Sequence, residues 1–311
     1  CLLMPPPRSD YEGVVVLGVS RSGTTLMRRL LDAHPDIAAP AETYALSAAA
    51  KFLEARQLGS GAEFGALRGL HLAGFEEDDV VGRLRDFAFS FHRDYARRAG
   101  KPLWAEKTAT DIFHLDGVER LCGNRVRYVV MLRDGLDVAP SLLELVDEVG
   151  GYFEELHRFA REEHRPLVAM GNAWQAATLA GLDLARRRPD AALVIRYEAL
   201  VRDPSATLDA LAGFLDVERP DDWAKAALRA PSSAGFGDWK TWETRALHTQ
   251  SVGRHRRLPK AALAQLVDAI GPTLELAGYE RPNVDRHRGE GGRKRAERAM
   301  QLAVLRAEPQ D

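Results

Sequence analysis

Strand-like apolar runs alternate with longer amphipathic stretches along most of this 311-residue chain. Four such runs lie near residues 14–19, 103–106, 127–132 and 192–197. Short runs without polar alternation are typical of strands that a parallel sheet buries on both faces. Since helical stretches separate the four runs, the pattern predicts an α/β fold in which a parallel sheet is flanked by helices.

The segments outside these strands are predicted to be mainly helical or polar. Residues 43–100 show helical patterning with one interruption near 59–61, and residues 145–175 form a charged helical excursion. After the run at 192–197, the stretch from Leu200 to Pro204 is predicted to be a turn. From Arg281 the chain becomes polar and rich in glycine, and residues 293–306 are predicted to form a short charged helix. We interpret the tail 281–311 as a linker, as an arm of a homodimer or as the beginning of a neighbouring domain, and the sequence leaves all three open.

The first strand-like run leads into a loop of small residues that ends at Gly23, and a helix is predicted to begin at Thr24. The backbone N–H groups of such a loop converge, and the helix dipole favours negative charge at that point. The spacing Gly18-x-x-x-x-Gly23-Thr24-Thr25 matches the phosphate loop of nucleotide-binding proteins, except that Thr24 replaces the lysine that reaches the β- and γ-phosphates. The loop therefore predicts an anion site that uses the Arg21 guanidinium, and it argues against an NTPase or a kinase.

A second pair of anion-binding side chains follows the third strand-like run. Arg133 stands at the end of that run, and Ser141 follows eight positions later on the next predicted helix. An arginine and a hydroxyl in this arrangement can hold one phosphate from two sides. Arg21, Lys107 and Tyr197 also come at or just after strand ends, so we expect one site at the carboxyl edge of the sheet.

These motifs resemble the sulfotransferases that take a sulfuryl group from 3′-phosphoadenosine-5′-phosphosulfate (PAPS). The stretch Arg21-Ser22-Gly23-Thr24-Thr25-Leu26-Met27, with Leu31-Asp32-Ala33-His34-Pro35 after it, is most similar to the tyrosylprotein sulfotransferases and to the bacterial enzymes that resemble them. The separated motifs extend over residues 13–280, and we therefore expect a sulfotransferase domain at 8–280.

The resemblance implies that different residues of the site bind different parts of the nucleotide. The loop that ends at Gly23 and the beginning of the helix after it would hold the 5′-phosphate. Arg133 and Ser141 would hold the 3′-phosphate, and a basic loop near residue 253 would close over the nucleotide. The positions implied to bind the co-substrate are Arg21, Ser22, Gly23, Thr24, Thr25, Arg133, Ser141, Tyr197, Gly253, Arg254 and Arg256. Lys240 is a further basic candidate. A basic run such as that near residue 253 is also typical of a solvated surface.

The implied catalytic groups are Arg21, Lys107 and Glu42. Lys107 and Arg21 would stabilise charge on the transferring sulfuryl group, and Glu42 would accept the proton of the acceptor hydroxyl. Two alternatives stay open at this point. Lys107 also fits a solvent-exposed lysine at a strand end, and Glu42 fits a carboxylate at a helix N-terminus, in which case His114 becomes the candidate base.

The composition of the chain limits the kinds of partner molecule that it is expected to bind. A net charge of −2 gives no indication of a broad nucleic-acid or membrane surface. Two cysteines form no disulfide framework, which favours a reducing compartment and a cytoplasmic location. The sequence contains no apolar run of the ~20 residues that a membrane span needs, whereas tyrosylprotein sulfotransferases of the secretory pathway carry a membrane anchor. We therefore expect a small-molecule hydroxyl acceptor rather than a protein tyrosine.

The sequence as a whole predicts sulfuryl transfer from PAPS to a hydroxyl, with no metal ion required because arginine and backbone amides meet the charge of the donor. Two other hypotheses remain. A nucleotide-binding regulator or kinase-like protein with the same loop would bind ATP or GTP with Mg²⁺. A catalytically inactive protein of the same fold would bind the nucleotide without turning it over.

Overall fold

The computed structural model describes residues 10–57, 63–229 and 249–284. Lys240 and the charged helix predicted at 293–306 lie outside these residues. The described strands are β1 (Gly13–Leu17), β2 (Ile37–Ala38), β3 (Arg56–Gln57), β4 (Glu63–Phe64), β5 (Leu103–Glu106), β6 (Val126–Leu132) and β7 (Ala192–Arg196).

Five of these strands form one parallel sheet in the order β2-β5-β1-β6-β7. The predicted α/β fold is thus confirmed, and each of the four predicted strands is present. The edge strand β2 was not predicted, because two residues are too few to show a period. The short strands β3 and β4 pair with each other in antiparallel fashion, apart from the main sheet.

Helices connect and cover the strands. They are α1 (Thr24–Ala33), α2 (Ala45–Leu53), α3 (Ala66–Leu72), α4 (Glu77–Ala99), α5 (Leu115–Cys122), α6 (Gly135–Val149), α7 (Glu154–Glu162), α8 (Pro166–Arg187), α9 (Tyr197–Arg202), α10 (Pro204–Phe214), α11 (Trp223–Arg229) and α12 (Lys260–Leu276). Short 3₁₀ turns lie at Asp111–His114 and Arg254–Arg257. No helix in the described segments combines the length and the apolar character needed to cross a bilayer.

The segment after β7 departs from the sequence-based prediction. The stretch from Leu200 to Pro204 was predicted to be a turn, but α9 continues through Arg202. Tyr197, Leu200 and Val201 are buried and share one face at helical spacing, and this burial stabilises a short helix there. As a consequence, Tyr197 is the first residue of α9 rather than the last of a strand.

Alternate residues of β1 face two separate cores. Val15 and Leu17 belong to the larger hydrophobic cluster, and Val14 and Val16 belong to the smaller one on the opposite face of the sheet. Because both faces are covered, polar side chains converge only at the ends of the strands. The loops after β1, β5 and β6, and α9 directly after β7, leave the sheet at its carboxyl edge, where parallel α/β sheets place their ligand sites.

Candidate active site

The loop between β1 and α1 has the backbone of an anion cradle. Gly18 and Gly23 adopt φ angles of 146° and 93°, and Arg21 adopts 73°, all in the region that favours glycine. Gly23 is the N-cap residue of α1, and no side chain caps this end of the helix. A Cβ atom on Gly23 would lie 2.5 Å from the Tyr197 ring, so this position has room for glycine only.

Beside this cradle lies a group that we call the arginine cluster, formed by Arg21, Arg133, Ser141 and Arg254. The Nε atom of Arg21 donates to Ser141 Oγ over 3.1 Å. Burial lowers the pKa of Arg21, and the neighbouring guanidiniums of Arg133 and Arg254 lower it further, while Glu144 opposes them. Arg254 forms an ion pair with Glu144. Positive charge therefore accumulates around Arg21.

Arg133 is the most buried cation of this cluster, with 6% of its surface exposed. Its Nη1 atom donates to the Arg21 carbonyl over 2.7 Å, and its Nη2 atom donates to the Ser251 carbonyl over 2.6 Å. The guanidinium lies over the Tyr197 ring at 4.5 Å from the centroid. Its Nε atom is buried and has no hydrogen-bond partner in the part of the chain that the structure describes. A buried donor on a cation whose hydrogen bonds go to neutral carbonyls is suited to an anionic ligand.

Asp137 of α6 anchors the basic loop that follows residue 249. Its carboxylate accepts from the Gly253 amide over 2.6 Å and from the amide and ring of His255 over 2.9 and 2.8 Å. Among the described residues, Asp134, Asp137 and His255 hold ligand atoms within 4.8 Å of one another, the spacing of a metal site. Hydrogen bonds inside the chain account for this arrangement, because Asp137 is occupied by the loop. Arg256 in the same loop is exposed.

A second group, which we call the lysine–glutamate pair, consists of Lys107 after β5 and Glu42 before α2. Their Nζ and Oε1 atoms lie 2.6 Å apart, and Lys107 also donates to Thr25 Oγ1 over 3.2 Å. Lys107 is only 2% exposed, which excludes the solvent-exposed alternative. Thr25 belongs to the first turn of α1, so the pair is in direct contact with the wall of the cradle.

Tyr44 contacts the second oxygen of the same carboxylate. Its hydroxyl donates to Glu42 Oε2 over 3.0 Å. Burial and the Glu42 carboxylate raise the pKa of the Tyr44 phenol. Tyr44 is also the N-cap residue of α2, with a φ of 57°, and no side chain caps this helix. Glu42 is therefore not the capping carboxylate of α2.

His114, the other candidate base, lies in a different cluster. Its two ring nitrogens contact Glu54 and Glu155 at 2.5 and 3.1 Å, and Glu155 also pairs with Lys51. Although burial opposes the charge of the ring, these carboxylates raise the pKa of His114. The geometry connects Glu42, and not His114, to Lys107 and Thr25.

Sequence reasoning did not assign roles to several residues that shape the site. Thr43, Tyr44 and Thr108 form hydrogen bonds beside the lysine–glutamate pair, and Glu106 is completely buried beneath them. One signal was present, because Glu106 is the sole charged residue in the strand Leu-Trp-Ala-Glu. Asp137 carried no comparable signal, since its partners are more than a hundred residues away.

Comparisons of the sequence with known proteins identify one family. The model described as "Sulfotransferase family" matches residues 13–221. The nodulation protein NoeE of Sinorhizobium fredii is 28% identical over 303 residues, which cover 85% of this chain and 65% of that protein. Protein-tyrosine sulfotransferase 1 of Danio rerio is 26% identical over 222 residues, or 70% of this chain and 56% of that protein. The chain thus spans less than two thirds of the length of these two relatives.

Solved structures show the same fold. A sulfotransferase domain from the curacin biosynthetic pathway has a TM-score of 0.60 at 18% identity, covering 88% of this chain and 99% of that domain. The sulfotransferase domain of the Synechococcus PCC 7002 olefin synthase has a TM-score of 0.55 at 22% identity, covering 89% of this chain and 99% of that domain. At these identities the likeness supports the fold alone.

Proposed function

The chain belongs to the sulfotransferase family, and from this premise we propose that it transfers a sulfuryl group from PAPS to the hydroxyl of an acceptor molecule. The observation that carries the proposal is the placement of two unlike groups on one cradle. The arginine cluster, which includes a buried donor at Arg133 Nε with no partner among the described residues, contacts the cradle through Arg21. The lysine–glutamate pair contacts the cradle through Thr25.

The arginine cluster fits the 3′-phosphate of the donor. Arg133 and Ser141 would hold that phosphate, with Arg254 contributing charge from the basic loop. The amides at the N-terminus of α1, with Ser22, Gly23, Thr24 and Thr25, would hold the 5′-phosphate. Tyr197 supplies a ring between Gly23 and Arg133. A phosphate on the 3′ position distinguishes this donor from ATP, and the cluster would recognise that difference.

The lysine–glutamate pair supplies the groups that sulfuryl transfer needs. PAPS, when bound, provides the sulfuryl group and a nucleotide leaving group. Glu42 would take the proton of the acceptor hydroxyl while the acceptor oxygen forms its bond to sulfur and the bond from sulfur to the phosphate oxygen breaks. Lys107 would neutralise negative charge that develops on the leaving oxygen and the sulfuryl group. Arg21 retains its predicted share of this role, although its side chain contacts Ser141.

The acceptor we propose is a small hydroxylated molecule. Hydroxyls on phenols, alcohols and sugars all match the chemistry of a carboxylate base beside a lysine. NoeE is named a nodulation protein and not a protein-tyrosine sulfotransferase, which supports a search among small molecules first.

The test is transfer of label from PAPS to a panel of phenols, aliphatic alcohols and sugars in the presence of EDTA. Labelled product supports the proposed function. Tight binding of ATP or GTP that requires Mg²⁺, without transfer, would instead support the nucleotide-binding regulator. Binding of adenosine 3′,5′-bisphosphate without transfer to any acceptor would support an inactive binding protein.

A further inference from the structure

Glu106 carries a carboxyl group into the interior of the protein. It is the last residue of β5, and strand alternation puts it on the same face of the sheet as Trp104, which belongs to the larger core. No part of the Glu106 side chain is exposed. Ionisable groups are rarely buried completely unless they are paired or needed for function. The chemistry proposed above leaves Glu106 without a role.

Two hydroxyl groups donate to this carboxylate, one to each oxygen. Thr43 Oγ1 donates to Oε2 over 2.8 Å, and Thr108 Oγ1 donates to Oε1 over 2.5 Å. Thr43 directly follows Glu42, and Thr108 directly follows Lys107. Thr108 Oγ1 also accepts from the Tyr44 amide over 3.1 Å. One buried carboxyl group therefore connects the two segments that carry the lysine–glutamate pair.

The surroundings of Glu106 make its charge costly. Burial raises the pKa of Glu106 to about 7, and the like charge of Glu42 adds to this effect. His92 of α4 lies 3.3 Å from Oε2, but burial lowers the pKa of His92 to about 4, so the ring is neutral. Asp111, completely buried in the adjacent 3₁₀ turn, is a further acidic neighbour. An apolar residue in this position would serve the core better than a carboxyl group.

We propose that Glu106 is a positioning residue for sulfuryl transfer, which fixes Glu42 and Lys107 against each other by holding Thr43 and Thr108. This inference rests on the proposed function, because the pair is the reacting part of that function. Among the described residues, the Glu106 side chain forms hydrogen bonds with Thr43 and Thr108 but none with the nucleotide cradle or with the carboxylate of Glu42, so it acts through these two threonines.

The first test is Glu106→Gln, which keeps the shape of the side chain. An amide has one accepting oxygen, so one threonine hydroxyl loses its acceptor. A shift of reacting groups by about 1 Å can cost about 10²-fold in rate. We therefore expect kcat for transfer from labelled PAPS to 4-methylphenol to fall by about 10²-fold. The KM for PAPS and the affinity for adenosine 3′,5′-bisphosphate should stay unchanged, because the arginine cluster is untouched.

Thermal stability gives a readout that separates positioning from a structural role. The raised pKa means that the folded state loses stability as pH increases from the ordinary carboxyl value of 4.5 through about 7. Glu106→Gln removes that loss, so its Tm should be no lower than that of the wild type at about pH 8. Any advantage in Tm should shrink at lower pH, where Glu106 in the wild type becomes protonated.

Matched variants keep the proposal falsifiable if Glu106→Gln folds poorly. Asp111→Asn changes a second, equally buried carboxyl group that contacts neither Thr43 nor Thr108 in the hydrogen bonds of the described residues, and it should keep kcat within about twofold of the wild type. Thr43→Val should lower kcat by about 10-fold, whereas Thr43→Ser, which keeps the hydroxyl, should restore it. Thr43→Val added to Glu106→Gln should cost less than the sum of the two single losses, because both changes act on the same set of contacts.

Several outcomes would overturn the inference. One is wild-type kcat in Glu106→Gln, and another is a fall in Tm that accompanies the fall in kcat. Equal losses in Asp111→Asn and Glu106→Gln, or additive losses in the double variant, would do the same. A wild-type enzyme that transfers no label would count against the proposed function instead. In that case hydrogen exchange would still test the inference about Glu106. Glu106→Gln should speed exchange of the Tyr44 amide and leave the exchange rates of the amides in α1 and α6 unchanged.

Discussion

The arginine cluster and the lysine–glutamate pair lie at the same edge of one sheet but differ in how their charges are arranged. In the arginine cluster, Arg133 donates to neutral carbonyls and Arg21 donates to a hydroxyl, so positive charge is left for a ligand. In the pair, Lys107 and Glu42 neutralise each other at 2.6 Å. The comparison teaches that excess charge is suited to binding an anion, while a balanced pair is suited to moving a proton.

The comparison predicts the largest effect for the proton acceptor. Glu42→Gln keeps the size of the side chain and removes the proposed base, so kcat for sulfuryl transfer should fall by about 10²–10⁴-fold. The loss should be smaller with an acidic phenol such as 4-nitrophenol than with an aliphatic alcohol, because the phenol gives up its proton more readily. Initial rates of label transfer from PAPS measure both values.

His114→Gln is the control for this prediction. It removes the histidine that contacts Glu54 and Glu155, and it should retain most of the turnover. If Glu42→Gln turned over at the wild-type rate while His114→Gln did not, the base would be His114 and the pair would be structural.

The next largest effect concerns binding of the nucleotide. Arg133→Ala should weaken binding of adenosine 3′,5′-bisphosphate by about 2–5 kcal/mol, which is the range for removing one partner of a desolvated charge pair. It should barely affect 5′-AMP, which lacks the 3′-phosphate. Calorimetry in EDTA measures both affinities, with Arg186→Ala on the exposed face of α8 as the control. If the wild-type protein bound the two nucleotides with equal affinity, the arginine cluster would not be the site that binds the 3′-phosphate.

Lys107→Ala should produce a somewhat smaller loss than the base variant. Removing one donor that stabilises transition-state charge typically costs about 10²–10³-fold in kcat. In contrast to Glu42→Gln, the loss should be similar for 4-nitrophenol and for an aliphatic alcohol when the proton acceptor is intact. A loss that depends on acceptor acidity in the same way for both variants would show that Lys107 serves proton transfer instead.

The smallest effect on nucleotide binding is expected for the contact between Asp137 and His255, which anchors the basic loop. The hydrogen bond to Asp137 raises the pKa of His255, whereas three hydrogen bonds from the loop lower the pKa of Asp137 against the effect of burial. The ionic part of this contact is therefore present below the raised pKa of His255 and is lost as pH rises through it. His255→Gln should weaken binding of adenosine 3′,5′-bisphosphate by about 0.5–1.5 kcal/mol at acidic to neutral pH, and by less at alkaline pH.

A titration of nucleotide affinity against pH, carried out on both proteins, checks this prediction. The two curves should converge at alkaline pH, because the amides of Gly253 and His255 hold Asp137 whatever the charge of the ring. Parallel curves would mean that the histidine contributes through packing alone.

The success of sequence reasoning followed the range of the interactions involved. The strands, the helix that begins at Thr24 and the cradle depend on local patterns, and all are present in the structure. The family was identified from the same local motifs. The turn predicted after Leu200 was wrong, because packing of Tyr197, Leu200 and Val201 gives a short helix instead.

Contacts between distant segments could not be predicted in the same way. Arg21 lies against Ser141, 120 positions away, whereas the resemblance implied that Arg21 and Lys107 together stabilise charge on the sulfuryl group. Glu106 was visible in the sequence as a charged residue at a strand end, but nothing in the sequence indicated that Thr43 would reach it from 63 positions away. Sequence patterns indicate which residues share an edge of a sheet, and packing decides which of them touch.

The central claim is that the lysine–glutamate pair is needed for chemistry on the acceptor and is not needed for binding of the nucleotide. The double variant Lys107→Ala, Glu42→Gln tests it most directly, because removing both partners leaves no unpaired charge behind. Calorimetry with adenosine 3′,5′-bisphosphate should give an affinity within about threefold of the wild type, a difference below 1 kcal/mol. Label transfer from PAPS should be abolished in the same preparation. A loss of affinity of about tenfold or more, or residual transfer near the wild-type rate, would contradict the claim.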